Sequence, residues 1–292
     1  MIDRPKRYSV LLFVCIIALF LFSSISCAGS TLEELASPDS GDEWFLVGNI
    51  FFDNGEYSDA IGSWHNAMYL TPELSADCWY NIGLAYAALG IYPEAIESWA
   101  NCLEYNPSFA AAYDNIATAY LFLGMPQTSL FAYEQAIALS PEEEKYRQDR
   151  DSLIDNLKNM AQSPEDDFFS SQGWLEAGKI LYDESEYEQA REAWTKASLM
   201  DPTVAGSSWK NIAITYMEQQ DYEKAVDAWL TSLEILPLAA SYNDIGFSYI
   251  YLGMPDMALS AFEKALLFDP DNEIYVTNKK NLLELYPDLL EE

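Results

Sequence analysis

Beyond about residue 41, apolar residues recur at intervals of three and four, the spacing that gives a helix one buried face, and short breaks carrying Gly or Pro interrupt them. The aromatic positions organise these helices into pairs. Trp44 and Trp64 stand twenty residues apart, as do Trp79 and Trp99, Trp174 and Trp194, and Trp209 and Trp229, which accounts for all 8 tryptophans. Tyr113 with Tyr133 and Tyr242 with Phe262 keep the same interval. The spacing predicts six units of roughly 34 residues, each a helix, a turn and a second helix. A small residue follows the first aromatic by four positions in every unit: Gly48, Gly83, Ala117, Gly178, Ala213 and Gly246. Large side chains fill the space beside the close helix approach this permits. Pro72, Pro107, Pro141, Pro202, Pro237 and Pro270 sit at the junctions, where a missing N–H does no harm.

A longer period lies above the first. Trp44 to Trp174, Trp79 to Trp209 and Gly48 to Gly178 are each 130 positions apart, and Leu123-Gly124-Met125-Pro126 matches Leu252-Gly253-Met254-Pro255. The chain therefore reads as a three-unit module written twice. Each copy ends in one extra helix, about Glu144 to Met160 and Glu273 to Leu290, where a polar-faced helix would cover the edge of the last unit. Ser163-Pro164-Glu165-Asp166-Asp167 is a linker signal between the copies. The expected organisation is a signal or anchor over 1–28, a linker over 29–40, a first module with its capping helix over 41–160, an acidic linker over 161–170 and a second capped module over 171–292.

The units resemble the tetratricopeptide repeat. The second carries the pattern in full, with Trp79, Ile82-Gly83, Tyr86, Gly90, Tyr92, Ala95, Trp99 and Pro107; the third departs from it with Ser129 where the second helix normally has Ala. The resemblance implies an all-α solenoid, a right-handed superhelix of helix-turn-helix repeats whose first helices line a concave wall that binds proteins. One binding mode of that family clamps a partner's terminal carboxylates with Lys, Arg and Asn. The first module lacks Lys and Arg before Lys145, and the second offers only Lys179 and Lys210 on first helices.

Charge narrows the partners. Asp and Glu outnumber Lys and Arg by 47 to 15, a formal net charge of -32. Such a surface repels phosphate backbones and anionic headgroups, which argues against nucleic acid and against electrostatic membrane docking and leaves neutral or basic protein segments. Solubility in high salt is a second reading of the acidity.

At the N-terminus, Arg4, Lys6 and Arg7 precede the apolar run Val10 to Phe22, and small residues follow, the pattern of an export signal. Ser24-Ile25-Ser26-Cys27 resembles a bacterial lipobox, with Ser24 where Leu is usual, so Cys27 is the candidate for lipidation. Cleavage after Ala28 and an uncleaved anchor over Tyr8 to Ala28 are the other two readings. All three leave the folded body extracytoplasmic, tethered in two of them and secreted in the third.

Of 4 cysteines only Cys78 and Cys102 fall in the repeats. They lie near adjoining ends of two paired helices and are candidates for a disulfide, which needs Cα atoms within ~7 Å; the alternative is two small packing residues. No catalytic constellation is visible. His65, the single histidine, has no ligating companions, Asp269, Asp271 and Glu273 lack the Gly and Glu of a calcium loop, and no Gly-rich phosphate loop occurs. The expectation is a non-enzyme without cofactor or metal.

For binding, Asn81, Asn115 and Asn211 each stand two residues after the aromatic of a first helix, away from the intra-repeat core. A carboxamide donates and accepts, so a row of them suits a peptide backbone. The row resembles the asparagine ladder in the tetratricopeptide superhelix of the enzyme that attaches N-acetylglucosamine to proteins, although Leu46 and Glu176 interrupt it and Asp244 closes it. Tyr80, Asp114, Phe45 and Phe247 are its expected neighbours. The leading functional expectation is an extracytoplasmic adaptor in envelope complex assembly; the alternatives are a carrier of small apolar ligands for a transporter and a specificity subunit of an enzyme. Replacing Cys27 with Ala tests the tether: loss of lipid label with release from the membrane supports acylation, whereas unchanged retention supports the uncleaved anchor.

Overall fold

The computed structural model describes residues 38–163 and 168–290. The segment bearing the export signal, with Cys15 and Cys27, and residues 164–167 of the acidic linker lie outside the described residues. Among the described residues there are fourteen α-helices and no strand. They are α1 (Gly41–Asp53), α2 (Tyr57–Leu70), α3 (Ser75–Ala88), α4 (Tyr92–Tyr105), α5 (Ala110–Phe122), α6 (Pro126–Leu139), α7 (Glu144–Gln162), α8 (Ser171–Asp183), α9 (Tyr187–Met200), α10 (Pro202–Glu218), α11 (Tyr222–Ile235), α12 (Ala239–Tyr251), α13 (Pro255–Phe268) and α14 (Glu273–Leu285), with 3-10 turns at Pro72–Leu74 and Pro287–Leu290. In sequence these form the six expected pairs, with α7 and α14 as the extra helices. The helix α14 stops at Leu285, short of the expected Leu290, because Pro287 disfavours helical backbone at Tyr286.

Local signals set the boundaries. Ser40 opens α1 with a capping box, its hydroxyl accepting from the Glu43 N–H at 3.2 Å while the Glu43 carboxylate accepts from the Ser40 N–H. Ser170, Asp201, Asp221 and Asn272 cap four later helices in the same sense. Each pair turns on one residue of positive φ, which is Gly in four pairs but Ser185 at 63° and Gln220 at 61° in the fourth and fifth.

The chain divides into two compact units, one up to Ile91 and one from Tyr92. In the first, α1 packs on α2 and α2 on α3 around Ala60, Trp64, Ala67, Cys78, Ile82 and Ala85. In the second, α6 packs on both α7 and α8, and α7 packs on α8 and α9, so the third and fourth pairs stack across the linker. The third pair meets the fourth closely: a Cβ on Gly173 would stand 2.7 Å from the Gly124 carbonyl oxygen. Lys196 also donates to the Ser163 carbonyl at 2.6 Å and to that of Met160, closing the C-terminal end of α7.

In the first, fourth and sixth pairs the aromatic of the second helix lies directly on the small residue of the first. A Cβ at Gly48 would come 2.5 Å from Trp64 Nε1, one at Gly178 2.4 Å from Trp194 Nε1, and one at Gly246 2.5 Å from Phe262 Cε1. Trp64, Trp99, Trp174, Trp194 and Trp229 are buried, as expected of core. Trp44, Trp79 and Trp209 on first helices are only half-buried.

The expected disulfide is not formed: Cys78 and Cys102 are two buried thiols. Each fills a seat that only a small side chain fits. Cys78 lies in the first unit's core, where burial pushes its thiol up to about 12, and Cys102 takes on α4 the register that Ala67 and Ala136 take in neighbouring pairs.

Two glycines bracket the energetics. Gly178→Ala drives a methyl into Trp194 and should cost about 1–3 kcal/mol. Gly62, exposed within α2 with nothing within 4 Å of an added Cβ, should gain about 0.5–1 kcal/mol as Ala. Thermal melts should therefore move in opposite directions.

Candidate functional site

Two adjacent register positions on the first helices separate in the structure. The residue one after the signature aromatic is buried in three of the pairs: Tyr80 is 9 %, Asp114 6 % and Asn243 8 % exposed. Tyr80 and Asp114 were expected to face an open groove and do not. Asp114 instead meets the ammonium of Lys145 on α7 at 2.5 Å, and the same ammonium bonds Asp149 at 2.7 Å. In the second module the equivalent contact is neutral, with Asn278 on α14 donating to the Asn243 side-chain oxygen at 2.7 Å. In the third and sixth pairs this position fastens the extra helix to its repeat.

Burial pushes the Asp114 carboxyl up to about 6 against the pull of Lys145, whose own pKa is raised by the two carboxylates beside it. One Asp114 oxygen, Oδ1, is buried without a hydrogen-bond partner. Close by, the Tyr133 hydroxyl is 3.1 Å from that of Thr118, and burial raises its pKa.

The residue two after the aromatic is half-buried in each case: Asn81, Asn115, Asn211 and Asp244. The Asn81 amide donates to Asn49 Oδ1 at 3.4 Å, and that oxygen also accepts from the Trp64 indole at 3.1 Å. Asn81 is thus tied to α1, the first helix of the preceding pair. Asp244 accepts from the Asn243 amide at 3.3 Å, with its carboxyl raised by burial. Phe247 belongs to intra-repeat packing, its ring edge-on to Phe262 with centroids 5.5 Å apart.

Asn211 is the ladder residue that lines an open depression. It faces a groove of about 410 Å³ whose walls include Leu175, Glu176 and Lys179 of α8, Ser207 and Asn211 of α10, and Gln127 at the start of α6. Lys179 is held by Asp183 at 2.8 Å. Gln172 donates to one Glu176 oxygen at 3.2 Å. The other, Glu176 Oε2, and Gln127 Oε1 are both buried acceptors without a partner. Buried acceptors are ordinarily satisfied, which sets these two oxygens apart. Glu176 was read from sequence as an interruption of the ladder, and Gln127 was not singled out at all. It lies on a second helix and reaches this groove only because α6 packs on α8. Repeat register within a unit carries no trace of that.

Other sequence candidates hold structural places. His65 is edge-on to Trp79 with centroids 5.4 Å apart, its pKa lowered by burial. Among the described residues no group of three His, Cys, Asp or Glu side chains could hold a metal, and no helix is long and apolar enough to cross a membrane.

Sequence profiles described as tetratricopeptide repeat or TPR repeat match residues 48–90, 76–109, 110–143, 175–240 and 239–272. No catalytic family is among these matches. No curated protein sequence matches the chain. Among solved structures, similarity extends to the MamA protein, with 18 % identity over 69 % of this chain and 96 % of that one at a TM-score of 0.37. YrrB, described as a TPR protein with an unusual peptide-binding site, shows 16 % identity over 74 % and 97 % at 0.38. The TPR2AB domain of yeast Sti1, in a complex with pHSP90, shows 18 % identity over 85 % and 98 % at 0.37.

The buried carboxylate makes α7 a pH-dependent attachment. Lys145→Met leaves Asp114 without its ammonium, so that at pH 7.5 the carboxyl must either ionise unpaired or take up a proton; breaking a fully buried pair costs about 3–5 kcal/mol, and because Lys145 is 40 % exposed the expected loss is about 1–2 kcal/mol. A carboxyl whose pKa rises on folding favours the folded state at low pH and loses that contribution as pH rises through about 6. The penalty of Lys145→Met should therefore shrink between pH 7.5 and 5, and Asp114→Asn in the same background should flatten the dependence. Thermal melts by circular dichroism across that range provide the measurement.

Proposed function

Because the chain belongs to the tetratricopeptide-repeat family, we propose that it is a non-catalytic scaffold that holds a partner polypeptide against the first helices of its repeats. The groove between α8 and α10 is the contact we assign to that partner. The observation that carries the proposal is that Glu176 and Gln127, each with one buried side-chain oxygen lacking a partner, line a groove that Asn211 also lines. An extended segment supplies backbone N–H groups to such acceptors, and a lysine or arginine side chain supplies more of them with the charge that Glu176 and Asp183 favour. The net charge of -32 extends the same preference over the surface. Asn115, in the same compact unit, extends the proposed track, as its matching register suggests.

The proposal includes location. The basic start, apolar run and small residues before Gly29 support export, and Cys27 supports a lipid tether. An exported, tethered scaffold suits assembly of an envelope complex, an analogy at the level of fold.

Arrays of 15-residue peptides probed with the purified protein test the reading. Peptides bearing Lys or Arg within an otherwise neutral segment should be enriched. For the tightest of them, Glu176→Gln and Asn211→Ala should each weaken binding about tenfold, the equivalent of one hydrogen bond to a charged or well-placed group, without change in melting. Selection of acidic peptides, or undiminished affinity in both folded variants, counts against this groove as the contact.

A further inference from the structure

Asn49 stands outside the row of asparagines expected to line a groove, yet in the first unit two other side chains are fastened to it. Its Oδ1 accepts from the indole of the buried Trp64 at 3.1 Å and from the Asn81 amide at 3.4 Å. An indole nitrogen only donates, so chemistry assigns the way the Asn49 amide faces, with its oxygen on Trp64 and its NH2 turned away. Asn81 is oriented in turn, its nitrogen on Asn49 and its own oxygen left over. Among the described residues nothing takes the Asn49 hydrogens or the Asn81 oxygen, and neither atom is buried. An amide donor and an amide acceptor therefore stand side by side on α1 and α3, held in place and open to water.

The doubled module shows that the fold does not require this arrangement. At an offset of 130, Asn49, Trp64 and Asn81 become Lys179, Trp194 and Asn211. Lysine has no acceptor, and the Trp194 indole donates to the Leu175 carbonyl at 3.1 Å instead. Backbone can thus satisfy a tryptophan at this place, and an asparagine is not needed for that purpose. The surroundings correspond as well. Phe45, Phe52 and Leu84, all half-buried, take the places of Leu175, Tyr182 and Ile214 in the groove between α8 and α10. What the first unit lacks is the charge: Glu176 and Lys179 of that groove are replaced by Leu46 and Asn49, and residues 38–91 hold no Lys or Arg. Asp53, in the register of Asp183, is exposed to water.

We propose that the first unit carries a second recognition site, in which Asn49 and Asn81 hold one residue of an extended, uncharged polypeptide segment by its backbone. In an extended chain the N–H and C=O of one residue point to the same side, as they do when antiparallel strands exchange both bonds. Asn49 donates to that C=O, Asn81 accepts from that N–H, and apolar side chains on either side of the residue rest against Phe45, Phe52 and Leu84. The site rests on the reading of this chain as a holder of polypeptides, but it needs nothing from the groove between α8 and α10.

Arrays of peptides without charged residues, probed with the purified full chain, test the proposal. For the tightest of them, Asn49→Asp keeps the acceptor that Trp64 needs and removes the free donors, while Asn81→Ala removes the free acceptor. Each should weaken binding about tenfold, the worth of one well-placed hydrogen bond, with melting unchanged, and Glu176→Gln should leave these peptides bound. N-methylation scanned along the same peptide should find one residue whose N–H is required. Its loss should cost about tenfold in the wild type and nothing further in Asn81→Ala. That comparison decides the matter even where Asn49→Asp lowers the melting temperature, because a purely structural role for Asn81 leaves the N-methylation penalty in place. Failure to retain any uncharged peptide overturns the proposal, as does undiminished affinity in both folded variants or an N-methylation penalty as large in Asn81→Ala as in the wild type. Loss of uncharged peptides with Glu176→Gln instead assigns them to the other groove and also overturns it. Basic peptides are read separately, so either site can fail while the other stands.

Discussion

Everything in this fold rests on how closely a ring can approach a helix backbone. Trp64 on Gly48, Trp194 on Gly178 and Phe262 on Gly246 each occupy space that a single methyl group would take away. That contact sets the separation of the two helices in a pair. The separation in turn decides which faces remain outside, and the outer faces decide how pairs stack. Close packing of this sort tolerates little change in volume, so the cysteines at 78 and 102, the alanines at 67 and 136 and the serines at 129 and 232 are all small and all buried.

Most of the architecture is legible in the sequence because this contact leaves a periodic record. Aromatics twenty apart, a small residue four past the first of them and a proline at each junction together fix six pairs and their order. What is not legible follows from the same physics. The turn residue of the fourth and fifth pairs is Ser185 and Gln220, which no glycine-based reading of turns would select. The approach of Cys78 and Cys102 to adjoining helix ends suggested a bond, whereas each simply satisfies a limit on size.

The candidate site divides along similar lines. Register alone predicts that the position after the aromatic and the one following it both face outward. A rotation of one residue is enough to separate them, turning Asp114 and Asn243 into the extra helices and leaving Asn211 at the groove. The acceptors that give the groove its chemistry come from Glu176 and Gln127, one on a first helix and one on a second. Their meeting depends on the stacking of the third pair on the fourth. That contact is between repeats, and a pattern that describes one repeat at a time contains no term for it.

The distance along the chain between the partners of each ring contact has a bearing on how the molecule comes into being. Gly48 and Trp64, Gly178 and Trp194, and Gly246 and Phe262 are all sixteen residues apart. Contacts so local make loop closure cheap and folding fast. A chain emerging end first, from a ribosome or through a narrow channel, can sequester each large ring as soon as its own hairpin is out, without waiting for any distant segment. The large ring of each such hairpin is thereby withdrawn early, which lessens the aggregation that a polypeptide with 8 tryptophans, 20 tyrosines and 14 phenylalanines would otherwise invite during synthesis.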